Sequence, residues 1–234
     1  RFALGHEIET SSGQRARLIR PLDFLVISDH AENLGLSPLI AKSDPELLKT
    51  EYGKKLHDLV KDGKGHDAFL LWIKDGMSKN TDIINNPTMG KSVWEDSVDF
   101  AEKYNDPGRF TAFVAFEWTS INTAEVPSNL HRVVLFRDDA DKAKQVMPFS
   151  AFDSYDPEDL WTYMEAYEKK TGGSILAIPH NGNLSNGIMF PMDAQYTGRK
   201  LDKFYVEQRA KWERMYEITQ IKGDGEAHPF LSPD

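Results

Sequence analysis

The sequence predicts an α/β domain. Short apolar runs bounded by polar residues recur along it, a long stretch of helical periodicity separates the first run from the second, and residues able to bind metal stand where the runs end.

The first run, Leu22-Asp23-Phe24-Leu25-Val26-Ile27-Ser28, opens after Pro21 and closes on Asp29-His30, the pattern of a buried parallel strand. From about Pro45 to Tyr104 the apolar residues fall at helical spacing, with Leu47-Leu48, Leu56 and Leu59-Val60 followed by Phe69-Leu70-Leu71-Trp72-Ile73 among charged neighbours. This predicts a helical insertion between the first two strands. Phe113-Val114-Ala115-Phe116, Val133-Val134-Leu135-Phe136 and Ser174-Ile175-Leu176-Ala177-Ile178 read as further strands, and Met215 to Ile221 as a weaker fifth. Asn122 to Asn129 reads as a polar hairpin-like loop. Asp156 as N-cap and Pro157 at the first position open a helix that Gly172-Gly173 ends, one helix-to-strand unit of an α/β fold. No internal repeat interrupts this order, so the 234 residues are read as one domain.

Composition excludes several classes. A net charge of −9 leaves no broad electrostatic footprint for nucleic acid, and an anionic small-molecule substrate would need a local positive source. The absence of cysteine removes disulfides, thiolate zinc sites and cysteine nucleophiles together, and leaves the redox compartment unreadable. No apolar run approaches the roughly 20 residues of a membrane span. The chain starts at Arg1 without an initiator Met and stops at Ser232-Pro233-Asp234 in a loop-like stretch, so both ends read as cut. A signal peptide ahead of Arg1 is compatible with this, and localisation stays open.

Asp29-His30, Glu117 and His180 each follow an apolar run, and in folds with parallel strands the carboxyl ends converge on one face. His131 begins its run instead. The short loop from Asn122 lets that run return antiparallel, which places His131 beside Glu117. Imidazole and carboxylate donors suit Zn²⁺, Mn²⁺ or Fe²⁺, and ions held this way activate water without a protein nucleophile. No G-x-S-x-G elbow is present, so acyl-enzyme chemistry has no support. Asp29, His30, Glu117, His131 and His180 are therefore the candidate metal ligands.

Phe24-Leu25-Val26-Ile27-Ser28-Asp29-His30-Ala31-Glu32 resembles the second motif of the PHP (polymerase and histidinol phosphatase) superfamily, metal-dependent phosphoesterases on a distorted (β/α)7 barrel. Phe110 to Ser120, Asn129 to Val134, Ile178 to Asn183 and Gln220 to Pro229 are similar to a bacterial PHP-like family of unknown function, so that the resemblance spans nearly the whole chain. It implies an incomplete PHP-type barrel binding two or three divalent ions. Glu117 would bridge, His131 and His180 would complete one site, and His30 would serve another ion with Asp29 as ligand or orienter. Asp29, Glu117 and His180 would be the catalytic residues. The His-x-His pair that opens such sequences and the Asp-x-His that closes them are missing here, both at the ends that read as cut.

The anionic substrate expected of such an enzyme would be held by Arg132, Lys222, His228 and Asn181, with the Lys222-to-His228 segment reading equally as a capped turn. His57 and His66 fall in the charged insertion and read as a solvated face; His6 is unassigned. Trp72, Trp94, Trp161 and Trp212 read as packing residues. A hydrolase of C–N or C–O bonds, or a domain that binds metal or ligand without turnover, are the rival readings.

Overall fold

The computed structural model describes residues 1–10, 12–76, 87–122, 127–193 and 196–225. A small antiparallel hairpin, β1 (Ile8–Glu9) and β2 (Arg15–Ala16), precedes β3 (Phe24–Ile27). The insertion follows as α1 (Leu36–Lys42), a 3-10 turn at Leu47–Lys49, α2 (Glu51–Lys61), α3 (Gly65–Gly76) and α4 (Pro87–Tyr104). Next come β4 (Thr111–Trp118), the short pair β5 (Ile121–Asn122) and β6 (Ser128–Asn129), then β7 (Arg132–Phe136). The chain continues through α5 (Ala140–Ala143), α6 (Pro157–Thr171), β8 (Ile175–Pro179) and α7 (Lys203–Trp212), and closes on a hairpin of β9 (Thr219–Gln220) and β10 (Gly223–Asp224).

The central sheet has four strands in the order β3-β4-β7-β8. β3 and β4 run parallel, and β7 is antiparallel to both β4 and β8, so β3, β4 and β8 share one direction and end at one rim. The architecture is thus mixed α/β, as the sequence predicts, and the strand read as returning antiparallel does so. The sheet is open: no closed barrel forms among the described residues. The fifth predicted strand survives only as β9, paired with β10 outside this sheet.

Strand alternation gives the sheet two unlike faces. Phe116, Trp118, Val134, Phe136 and Ala177 point to one face and are fully buried against α4 and α6, where Trp94, Val98, Leu160, Trp161 and Met164 meet them. Each buried tryptophan keeps its indole N–H satisfied, Trp94 by the Ala143 carbonyl at 3.2 Å and Trp118 by that of Ser154 at 3.1 Å. Phe113, Val133, Leu135, Leu176 and Ile178 point to the other face and are only half buried. The insertion has its own smaller core of Leu36, Leu39, Ile40, Leu47, Leu56 and Ala68.

The helix of residues 157–171 has the caps its sequence requires. The Asp156 side chain accepts from the Glu158 N–H at 2.9 Å, and Gly172 turns into the left-handed region at φ 63°. Two residues read as solvent-facing or ligand-facing behave otherwise. His57 is largely buried, its Nε2 2.9 Å from Ser43 Oγ, because it ties α2 to the end of α1. Arg132 is buried with Glu213, Nε to Oε1 at 2.9 Å, and a further N–H donates to the Leu130 carbonyl. Glu213 also accepts from Trp161 Nε1 at 3.0 Å and from Arg209 at 2.9 Å.

This network clamps the end of α7 to the start of β7 and should respond sharply to loss of its anion. Glu213→Ala leaves two guanidinium groups without their counter-charge and is expected to cost about 3–5 kcal/mol, read from urea denaturation of the metal-free protein.

Candidate metal centre

β4 carries Glu117 to the rim one residue before it ends, in the run Phe116-Glu117-Trp118. Alternation sends Phe116 and Trp118 into the helix-covered core and turns Glu117 to the opposite face. His30 continues the parallel register of β3, pairing with Glu117 across the ladder: the Glu117 N–H donates to the Asp29 carbonyl and the Ala31 N–H to that of Glu117, each at 2.8 Å. His131 sits just before β7, its N–H donating to Asn129 Oδ1 at 2.8 Å. His180 follows β8, its N–H donating to the His131 carbonyl at 3.3 Å.

These placements bring three imidazoles onto one carboxylate. His180 Nε2 lies 3.0 Å from Glu117 Oε1, and His131 Nδ1 2.9 Å from the same oxygen, while His30 Nδ1 lies 3.5 Å from Oε2. One donor atom each from Glu117, His131 and His180 fall within 4.8 Å of one another, close enough for a common ion. Both ring nitrogens of His131, and Nδ1 of His180, are buried without a hydrogen-bond partner in the protein; the His131 contact with Glu117 has the distance but not the direction of a hydrogen bond. Buried, unpartnered imidazole nitrogens around an acidic oxygen fit a cation. The cluster can hold a metal ion.

Protonation agrees with that use. Burial alone would push the Glu117 carboxyl up, but the His131 and His180 rings against it and the charges of His30 and His180 hold it well below the usual carboxylate range. Burial lowers His131, and its contact with Glu117 only partly offsets this, so the ring favours the neutral form a metal needs.

A second buried carboxylate supports the centre. Glu32 accepts from the Thr119 N–H at 3.2 Å and the Ala151 N–H at 2.5 Å, and burial raises its pKa against those bonds. Thr119 Oγ1 in turn sits 2.5 Å from His30 Nδ1, which leaves Nε2 as the ring's remaining ligand atom. Neither Glu32 nor Thr119 was singled out from the sequence, although each stands two residues from a ligand on the same strand end. At β8, Asn181 adopts the left-handed region at φ 56°, its N–H donating to Glu217 Oε2 at 3.0 Å. A Cβ at Gly182 would collide with the Tyr216 hydroxyl, so any side chain there would displace that ring.

The other sequence candidates divide. Asn181 is buried with both ends of its amide unpartnered in the protein. Asp29 does not bring its carboxylate to the cluster, because alternation turns it away from His30; it is exposed and contributes its carbonyl instead. Arg132 is on the core face and committed to Glu213, which corrects its reading as a phosphate ligand. Lys222 is exposed at the turn between β9 and β10, whose carbonyl accepts from Asn183 at 3.1 Å. His228 lies outside the described residues.

A family model described as a protein of unknown function, DUF3604, matches residues 1–234. The chain belongs to the DUF3604 family. Neither the curated proteins nor the solved structures contain a match to it. In this DUF3604 chain the converging strand ends, not the family description, indicate chemistry.

Zinc titration by calorimetry is expected to show a tight site that Glu117→Ala and His180→Ala abolish, while Thr119→Val weakens ion binding on the His30 side by roughly tenfold. Unchanged metal content in the first two variants would defeat the assignment.

Acid should destabilise the metal-free protein. The lowered His131 binds its proton less readily folded than unfolded, so stability falls as pH drops below 6.5, the unfolded value; the lowered Glu117 extends the loss below 4.5. Melting temperature measured from pH 8 to pH 3 should hold level at the alkaline end and decline once the pH falls below about 6.5, and the part of that decline below pH 4.5 should shrink in Glu117→Gln.

Proposed function

We propose that this protein is a metal-dependent hydrolase, a phosphoesterase in the first instance, working at the centre formed by Glu117, His131, His180 and His30. One observation carries the reading: ligand atoms of three residues far apart in sequence converge within 4.8 Å, while both ring nitrogens of His131 and Nδ1 of His180 are buried without a hydrogen-bond partner. The resemblance to the PHP superfamily supports the phosphoester class, and the sheet, with chemistry at the carboxyl ends of β3, β4 and β8, is proposed as part of a PHP-type barrel.

Within this reading Glu117 offers Oε1 towards His131 and His180 and Oε2 towards His30, the disposition of a carboxylate shared by two ions. Zinc, manganese or iron held there would supply a Lewis acid and a nucleophilic water at neutral pH. Thr119 holds the His30 ring and Glu32 holds Thr119. The unpartnered Asn181 amide, next to His180, would contact the substrate through its NH2 donor group and its carbonyl acceptor. Asp29 is not among the residues whose donor atoms converge with Glu117, so the catalytic roles are proposed for Glu117 and His180.

A second reading, hydrolysis of a C–N or C–O bond, is favoured by one specific fact. Arg132, the nearest guanidinium in sequence, is spent on Glu213 and does not face the centre, and a carbonyl substrate needs no such cation.

Turnover of p-nitrophenyl phosphate, bis-p-nitrophenyl phosphate and p-nitrophenyl acetate with added Mn²⁺ separates the two. Phosphoester cleavage lost by at least a hundredfold in His180→Ala is the expected outcome. Acetate cleavage alone, lost in the same variant, would replace the first reading by the second, and metal binding without turnover of any ester or amide would overturn both.

A further inference from the structure

We propose that the organic part of the substrate is apolar and uncharged, and that it lodges in the cavity between the end of β3 and the helical insertion. The inference rests on the hydrolase reading of the centre and adds what that centre acts on.

The cavity has a volume of about 460 Å³, within the range of small-molecule sites. Its link to the metal centre is His30, which forms part of the wall and stands 3.5 Å from Glu117, while Glu117, His131 and His180 do not line it. A substrate held beside His30 reaches into it. Outward from His30 the wall is mostly hydrocarbon, supplied by Leu36, Ile40, Leu56, Ala68, Trp72 and Val93, with Asn33, Ser37 and Ser97 as its uncharged polar members.

The insertion builds this wall from its own small core, and it leaves apolar surface uncovered around the opening. Phe69 is 53% and Val60 40% exposed, and the Phe69 ring stacks on Trp72 with centroids 6.2 Å apart.

Charge decides the class of ligand. Among the described residues lining the cavity there is no lysine and no arginine, and the acidic residues Asp29 and Glu32 bring no positive charge to it. A nucleotide, a sugar phosphate or a polycarboxylate placed here would bury anionic groups without a counter-charge, which weakens binding by orders of magnitude. An alkyl or aryl group gains instead from each carbon removed from water, about three- to fourfold in affinity per methylene. The anionic or carbonyl group to be cleaved stays at the metal centre, and the remainder of the molecule occupies hydrocarbon.

The test has two arms. In the first, the metal-free protein is titrated with the neutral fluorophore N-phenyl-1-naphthylamine. Saturable binding, weakened at least tenfold by Ser37→Trp at the mouth and by Ala68→Phe deeper in the wall but retained in His180→Ala, is expected; Ser37 is exposed, so its variant serves if Ala68→Phe does not fold. No saturable binding, or binding indifferent to both wall substitutions, overturns the proposal. In the second arm the Mn²⁺-loaded protein is given p-nitrophenyl alkyl phosphodiesters from methyl to octyl. A kcat/KM that climbs with chain length, and an octyl-to-methyl ratio that collapses in Ser37→Trp, is expected; cleavage that is flat or falls with chain length overturns the proposal while leaving the hydrolase standing. Fluorophore binding as expected with no ester cleaved overturns the hydrolase reading and leaves the pocket's ligand class intact.

Discussion

The carboxylate of Glu117 is the constraint from which the rest follows. It sits at the end of an apolar strand, largely out of water, where an uncompensated anion is too costly to keep. Among the described residues, Glu117 and two other buried carboxylates, Glu32 and Glu213, solve that problem in three ways. Glu32 is met by backbone N–H groups of Thr119 and Ala151, and Glu213 by two guanidinium groups and an indole. Glu117 is met by imidazoles. Only the last arrangement leaves lone pairs on both sides of the contact, so only there can a cation replace protons and satisfy every donor at once.

The other two carboxylates serve the first. Glu213 fixes Arg132, and Arg132 is the residue after His131, so the start of β7 is tied down on the core face while His131 projects from the other. Glu32 fixes Thr119, and Thr119 holds His30. At β8 the Glu217 side chain takes the Asn181 N–H and so closes the loop after His180. Each ligand is thereby held by a buried or half-buried hydrogen-bond acceptor on a neighbouring element, the kind of support that keeps a centre within coordinating distance.

The sheet's asymmetry places the chemistry. Aromatic side chains from β4 and β7 lock one face against α4 and α6, with ring contacts such as Phe116 to Trp94 at 6.1 Å and Phe136 to Tyr167 at 4.9 Å. The other face is left half open, and the helical insertion contributes the cavity wall beside it. Rigid packing on one side and access on the other is what a site at a strand rim requires.

Local pattern determined much of this. Strands read at 22–28, 113–116, 133–136 and 174–178 form at 24–27, 111–118, 132–136 and 175–179, and the caps of the 157–171 helix and the convergence of Glu117, His131 and His180 are likewise readable, because alternation, capping chemistry and short return loops act over a few residues. The N-terminal hairpin and α7 were not readable: two-residue strands carry no periodicity, and Lys203–Trp212 has almost no amphipathic pattern. What only the tertiary structure decided was the partner of each charge. Arg132 could have met a phosphate and met Glu213 instead, Asp29 could have been a ligand and was turned away by the pleat, and Glu32 was made structural by a backbone N–H 119 residues distant. Long-range pairing of buried groups is set by which elements pack together, and no short stretch of sequence contains that information.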